Sequence, residues 1–260
     1  MRSIKNLSLL SVYMFFFISS FAQVTDHVFV SAVRAGKSGI ISQNVKSAKD
    51  AAVHFQKFDH ALIKEDKFES LAKYNLRKAN FLSINTQSLE AIRLSRPEAI
   101  QISIPTEAGV SLTMDLIRVD LMSEGFKVST SDGTNEEYVP GVFYQGVIRG
   151  SEENSLVALS FFDQEIIGMF SIDQDNFVLQ PSKDFPGKLI LYNDKDLIKY
   201  SEMECLTDHL ESVVRDPTPS TEMAAGDCIR VYIECDYALQ QNKGGVTNTV
   251  NWITSVYNNV

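Results

Sequence analysis

Histidine and cysteine side chains are the first candidates for chemistry in this sequence, because both are common ligands of metals in proteins. The chain of 260 residues contains four histidines. No two of them stand four positions apart, which excludes an HExxH zinc helix from this sequence. A glycine-rich phosphate loop and a G-x-S-x-G elbow are absent as well. We therefore interpret each histidine as a surface or turn residue: His27, His54, His60 and His209.

The three cysteines are an odd number, so at least one thiol is unpaired or pairs outside this chain. Cys228 and Cys235 flank a predicted strand that is about 23 Å long, which is beyond the reach of a disulfide. Cys205 is the remaining chemical candidate, because a thiolate could fill the fourth position of a zinc site. The alternatives are a disulfide partner and an inert thiol, and the residues alone favour these two.

Composition describes an ordinary globular protein with an acidic balance. The formal net charge is −9, with 44% hydrophobic and 22% charged residues, which is far from the composition of a disordered chain. The length suits one large domain or two small ones. Lysine and arginine form no basic stripe, which argues against nucleic acid as a partner.

The N-terminus has the layout of a cleaved secretory signal. Arg2 and Lys5 precede an apolar run over residues 7–21, and small side chains stand at the −3 and −1 positions of a cut between Ala22 and Gln23. A membrane anchor is the alternative, but the run is shorter than the roughly 20 residues that span a bilayer. We therefore expect a secreted, extracellular chain with no membrane contact after signal removal.

The elements that would position any site fall into a short helical part and a long β part. Residues 47–78 are rich in Ala, Lys, Glu and Leu, and residues 88–94 predict a short helix that ends before Pro97. Residues 98–193 alternate between apolar and polar positions in short segments separated by turns. This pattern predicts an antiparallel sandwich or barrel-like sheet. The apolar phase shifts at Ile117, which predicts a bulge or a change of environment along that strand.

A domain boundary is predicted near the C-terminal end. Pro217 and Pro219 exclude a helix or a central strand there, so we interpret residues 211–226 as a linker, with a long internal loop as the alternative. Residues 229–235 then predict a strand, Gly244 and Gly245 a break, and residues 247–260 an amphipathic helix. One strand and one helix cannot bury their faces alone, so a second domain is expected to begin near residue 227 and to be cut off at the end of the sequence.

The β segments resemble the prodomain of reprolysin/adamalysin-type zinc metallopeptidases. Residues 143–150 look like its Tyr-x-Gly-x-Val-x-Gly strand, and residues 154–160 look like its Ser-x-x-Ala-Leu-Ser strand. Residues 167–170 and 177–181 are similar to the return strand and to the strand that ends in Pro. Residues 228–260 look like the start of the catalytic domain in secreted bacterial relatives, which is an α/β domain of the zincin type.

The resemblance implies a precursor with a signal peptide (1–22), a prodomain (23–210), the linker (211–226) and the first strand and helix of a metallopeptidase domain (227–260). It implies that the prodomain assists folding and keeps a downstream zinc protease latent, with Cys205 as the inhibitory zinc ligand. Relatives prefer Gly after that cysteine, whereas Leu206 stands here. The remaining zinc ligands and all catalytic residues would lie beyond this sequence, so the chain alone is expected to be inactive. Arg215 is a candidate processing point.

Two other functions are compatible with the same pattern. A secreted β-rich binding or adhesion module without protease activity would share the strand pattern, because fold alone does not set function. An inactive product of a peptidase gene would differ only in the segment C-terminal to the prodomain. For the precursor, the implied partners are its own catalytic domain and protein substrates. The feature that separates these functions is the partner that covers the apolar stripe of the last helix, which the sequence assigns to Val250, Ile253 and Tyr257.

Overall fold

One curled sheet of ten strands forms the body of the protein in the computed structural model, which describes residues 39–106, 109–198 and 231–259. The strands are β1 (Phe55–Phe58), β2 (Leu62–Glu65), β3 (Asn80–Ile84), β4 (Ala99–Pro105), β5 (Ser111–Val119), β6 (Val128–Ser129), β7 (Asn135–Glu136), β8 (Val142–Ile148), β9 (Ser155–Phe161), β10 (Ile166–Ile172), β11 (Asp175–Pro181) and β12 (Lys188–Asn193). Strands β6 and β7 form a separate small hairpin. The order in the large sheet is β1-β4-β5-β8-β9-β10-β11-β12-β3-β2.

Four helices accompany the sheet within the described ranges. They are α1 (residues 39–50), α2 (Thr86–Ser95), α3 (Tyr237–Lys243) and α4 (Val246–Asn258). Single turns of 3₁₀ helix lie at Leu71–Tyr74 and Asp194–Asp196. Helix α2 covers the range predicted from the sequence, with Asn85 Oδ1 accepting from Ser88 N as its N-cap.

The core lies on the concave face of the curled sheet, as the alternation in residues 98–193 predicts. Each strand points every second apolar side chain inward, and α2 adds Leu89 and Ile92 to the same cluster. The prediction of a mainly β protein is confirmed, and its architecture is one half-barrel. One detail was wrong: β1 pairs with β4 in parallel, so the sheet is mixed and not purely antiparallel. Consecutive strands β1 and β2 take the two opposite edges, which curls the sheet around the core.

Helix α1 packs on the convex face, and its contact explains the phase shift at Ile117. Strand β5 pairs with both neighbours without interruption, so the predicted bulge is wrong. The outward side chain of Ile117 is apolar because Ile41 and Val45 of α1 cover it. Both faces of β5 are therefore buried at this point, which removes the simple alternation.

A buried carboxylate anchors α1 next to this apolar cluster. Asp115 is fully buried and accepts hydrogen bonds from Lys49 at 2.6 Å, Gln101 at 2.9 Å and Arg149 at 2.8 Å. Burial acts to raise the pKa of Asp115, but these three donors outweigh it and hold the pKa below its usual value. The stabilisation is present above the pKa of the unfolded state and is lost as the pH falls through the folded pKa.

Two sequence predictions fail outside the β region. The Ala- and Lys-rich residues 47–78 are helical only in α1, up to residue 50, and then form β1, β2 and a 3₁₀ turn. These edge strands are short and polar on one side, so composition hides them. Residues 231–236, the described part of the strand predicted over residues 229–235, are exposed and irregular, because no neighbouring strand pairs with them. The distance argument that separated Cys228 from Cys235 therefore loses its basis.

No helix in these three described ranges combines the length and apolar character that crossing a bilayer requires.

Candidate functional site

Helix α4 lies across β8, β9 and β10 on the convex face and buries its polar side. Its buried residues are Thr249, Asn251, Thr254, Ser255 and Asn258. The predicted apolar stripe faces away: Val250 and Ile253 are half-buried, and Val256 and Tyr257 are each 39% exposed. A surface helix normally does the opposite, burying its apolar stripe. We call the part of the sheet under α4 the docking face.

The hydroxyl groups in this interface are satisfied within α4 itself. Thr249 Oγ1 donates to Gly245 O at 2.8 Å, Thr254 Oγ1 to Val250 O at 2.8 Å, and Ser255 Oγ to Asn251 O at 2.7 Å. Short side chains allow close approach to the sheet, and their internal bonds remain intact if the helix leaves. The interface can therefore open without leaving these hydroxyls unpaired.

Asn258 anchors the C-terminal end of α4 on the docking face. Its Nδ2 lies 3.1 Å from Leu159 O, 3.3 Å from Tyr144 O and 3.2 Å from Ser160 Oγ. Gln145 returns a bond, its Nε2 donating to Asn258 O at 2.6 Å. The side chain is fully buried, and its Oδ1 has no hydrogen-bond partner among the described residues. The amide nitrogen alone therefore fixes this side chain on backbone carbonyls of β8 and β9.

Asn251 makes the second contact, one turn into the helix body. Its Oδ1 accepts from Tyr138 Oη at 2.8 Å, and its Nδ2 donates to Glu165 Oε1 at 2.7 Å. Tyr138 comes from the segment before β8, and Glu165 closes the turn between β9 and β10. The amide thus has both of its ends engaged by the sheet domain, which defines one orientation of α4.

The ionisable groups around Asn251 are shifted by this burial. Burial raises the pKa of Glu165, against the smaller opposing effects of the Asn251 bond and the Lys243 charge. It raises the pKa of Tyr138 to about 12. It also lowers the pKa of Lys243, whose Nζ lies 4.1 Å from the centre of the Trp252 ring.

The segment that leads into α4 presents apolar side chains to solvent. Val231 is 56%, Tyr232 87% and Tyr237 75% exposed. Cys235 lies in this segment and forms no disulfide with a described residue. Partial burial and the neighbouring Asp236 raise the pKa of its thiol, which makes it a poor nucleophile.

A second concave feature lies between α1 and the turn at residues 150–154. It is an open cleft of about 450 Å³, lined by Lys46 and Lys49 on one side and by Glu152 and Glu153 on the other. The two signs of charge balance, and Lys49 is engaged by Asp115. This cleft has no chemistry that selects a ligand, so the docking face is the stronger candidate site.

The site residues predicted from sequence fall largely outside the described ranges. Cys205, Arg215 and the cleavage pair Ala22 and Gln23 are among them, as are the signal peptide and the linker. Within residues 39–106, 109–198 and 231–259, no three His, Cys, Asp or Glu side chains form a group that could hold a metal ion.

The residues of the docking face were missed by the sequence analysis. Asn251 and Tyr138 are 113 positions apart, as are Asn258 and Gln145, so no local motif joins them. One signal was available: polar residues at 251, 254, 255 and 258 recur at helical spacing and form a stripe as regular as the apolar one.

No protein-family model matches this chain, and a search of curated proteins finds no significant match.

Proposed function

We propose that this chain is the N-terminal part of a secreted zinc metalloendopeptidase precursor, in which the curled β domain assists folding and keeps the protease latent. Residues 23–210 are the prodomain in this proposal, and residues 227–260 begin the catalytic domain. The β domain holds that beginning through the docking face until the linker is cut.

The observation that carries the proposal is the inverted burial of α4. A helix that belonged to the β domain would bury its apolar stripe, because this burial supplies about 25 cal/mol per Å². Here the stripe with Val256 and Tyr257 is left outward, next to the exposed side chains of residues 231–237. Both are explained if a further part of a catalytic domain covers them, with the β domain touching only the polar back of the helix.

The chemistry of the docking face also suits a contact that must later be released. Interfaces between domains of one chain are commonly polar and separable. The specific bonds across this one come from few side chains, chiefly Asn251 and Asn258, and a typical hydrogen bond contributes a net of about 1 kcal/mol. A binding module without a protease, the alternative function, would have no need for a helix placed in this way.

Zinc enters the proposal only through the resemblance. The described residues do not supply a ligand set, so no step of latency is derived through the metal. Cys205 is proposed as the thiolate that would occupy the zinc in the precursor, and Arg215 as a processing point in the linker. When bound, zinc would activate water for peptide hydrolysis by protein substrates.

Inhibition in trans tests this function. Residues 23–215, shown by circular dichroism to be folded, should inhibit the mature protease at micromolar concentration. Ser160→Arg on the docking face should weaken inhibition at least about tenfold, since a long charged side chain would stand under α4 where Ser160 is 1% exposed. Cys205→Ala in the same segment should weaken it as well, because the zinc would lose its blocking ligand.

Met169→Arg is the matched control. Met169 also points outward, on the neighbouring strand β10, but it is 40% exposed and α4 does not cover it. This variant should inhibit as the unaltered segment does. A folded segment that fails to inhibit at micromolar concentration would overturn the proposed function, and equal loss in the Met169 variant would remove the docking face from it.

A further inference from the structure

We propose that the contact between α4 and the docking face is a pH-responsive latch, which holds α4 at acidic pH and loosens as the pH rises, with Glu165 as its proton-binding group. This deepens the proposed function, on which its role in latency rests. The latch itself is a property of the described structure and can be measured without any protease.

Glu165 occupies a position where leaving and docking of α4 change its surroundings completely. It stands in the turn between β9 and β10, half-buried, with Oε1 2.7 Å from Asn251 Nδ2. The other end of the Asn251 amide is fixed by Tyr138 Oη. When α4 leaves, the amide leaves with it and water takes its place around the carboxyl group.

The charged and titratable groups around Glu165 do not cancel this effect. Lys243 of α3 acts on the carboxyl group by its charge, but more weakly than burial does. Lys183 bears on Lys243 and lowers the pKa of that amine. Tyr138 remains a neutral phenol throughout the acidic and neutral range, since its pKa is about 12. The other carboxylate of the same turn, Asp163, points to Arg93 of α2 and is paired with it at 2.6 Å.

The direction of the pH effect is set by proton linkage. In the docked state the pKa of Glu165 is above its usual value, and in the undocked state the exposed carboxyl group returns to that value. Between the two values the docked state binds more protons. Docking is therefore strongest below the undocked pKa and weakens as the pH rises through the docked pKa, tenfold for each unit by which the two differ.

Trp252 provides a specific readout, because it is the single tryptophan of the chain and lies on α4. Acrylamide quenching of its fluorescence in the full chain, measured from about pH 4 to about pH 8, reports how often α4 is exposed. We expect quenching to rise with pH in the unaltered chain. Glu165→Gln keeps the shape and the acceptor for Asn251, so quenching should stay at its low acidic level across this range.

Asp163→Asn is the matched control, since it makes the same chemical change in the same turn at a side chain that is 75% exposed. It should keep the full pH response. Tyr138→Phe gives a second check that does not depend on Glu165: it removes the bond that orients Asn251, so quenching should be higher at every pH while its rise with pH persists.

The outcomes separate cleanly. A rise with pH that Glu165→Gln abolishes and Asp163→Asn retains supports the latch. Quenching that is independent of pH in the unaltered chain, or the same rise in Glu165→Gln, overturns it. Either result leaves the proposed function to its own test, because inhibition in trans is measured at one pH and on different molecules.

Discussion

Replacing Asn258 with Asp is expected to release α4 from the sheet. The amide nitrogen now donates to two backbone carbonyls and to Ser160 Oγ, all within 3.3 Å. A carboxylate in its place would put a buried negative charge against those carbonyl oxygens, with no donor to satisfy it. Leaving an uncompensated charge in a buried site costs about 3–5 kcal/mol, which exceeds what a few net hydrogen bonds return.

The measurement is hydrogen exchange over residues 246–258 together with quenching of Trp252. Both should approach the values of a solvent-exposed helix in the Asn258→Asp chain, while the amides of β8 and β9 remain protected. Asn259→Asp is the control, because it adds the same charge one position on, where the amide is half-buried and bonds to Ser255 O within its own helix. Full protection of α4 in the Asn258→Asp chain would show that Asn258 is not the anchor.

Replacing Gly146 with Ala should destabilise the sheet domain more than any surface change, by about 3 kcal/mol. An added Cβ would stand 2.0 Å from Asp115 O and 2.8 Å from Leu116 Cα, both in the backbone of the neighbouring strand β5. Backbone atoms cannot move aside as the end of a side chain can, so the pairing of β5 with β8 must separate or bend.

The free energy of unfolding in urea measures this effect, with Gly39→Ala as the control. A Cβ at Gly39 meets nothing within 4 Å, and the residue is helical, so this change should be neutral or stabilise by up to about 1 kcal/mol. If Gly146→Ala unfolds at the same urea concentration as the unaltered chain, close approach of β5 and β8 does not explain this glycine.

The sheet was predictable because its residues repeat a simple pattern. Ile100, Ile102 and Ile104 lie on the concave face as their alternation requires, and the strands of residues 98–193 begin and end near the predicted turns. Gly146 and Gly168, which belong to the segments that carry the family resemblance, fill positions where a Cβ would collide with the adjacent strand. A sequence motif here has a steric cause that the sequence itself does not display.

The candidate site was not predictable in the same way. Helix α4 was expected from its apolar period, and Val246–Asn258 bears this out. However, periodicity gives two stripes at once, and it does not say which of them faces a neighbour. Tyr138, Gln145 and Glu165 lie in or beside strands where nothing in the local sequence marks them as partners of a helix about 100 residues away.

The precursor account is tested most directly by reading the coding sequence beyond the codon for Val260. The account predicts that the same reading frame continues into a domain with an HExxHxxGxxH helix, which would supply the zinc ligands and cover the outward stripe of α4. A stop codon directly after Val260 would contradict it, and the docking face would then have to be explained as part of a β-rich binding module.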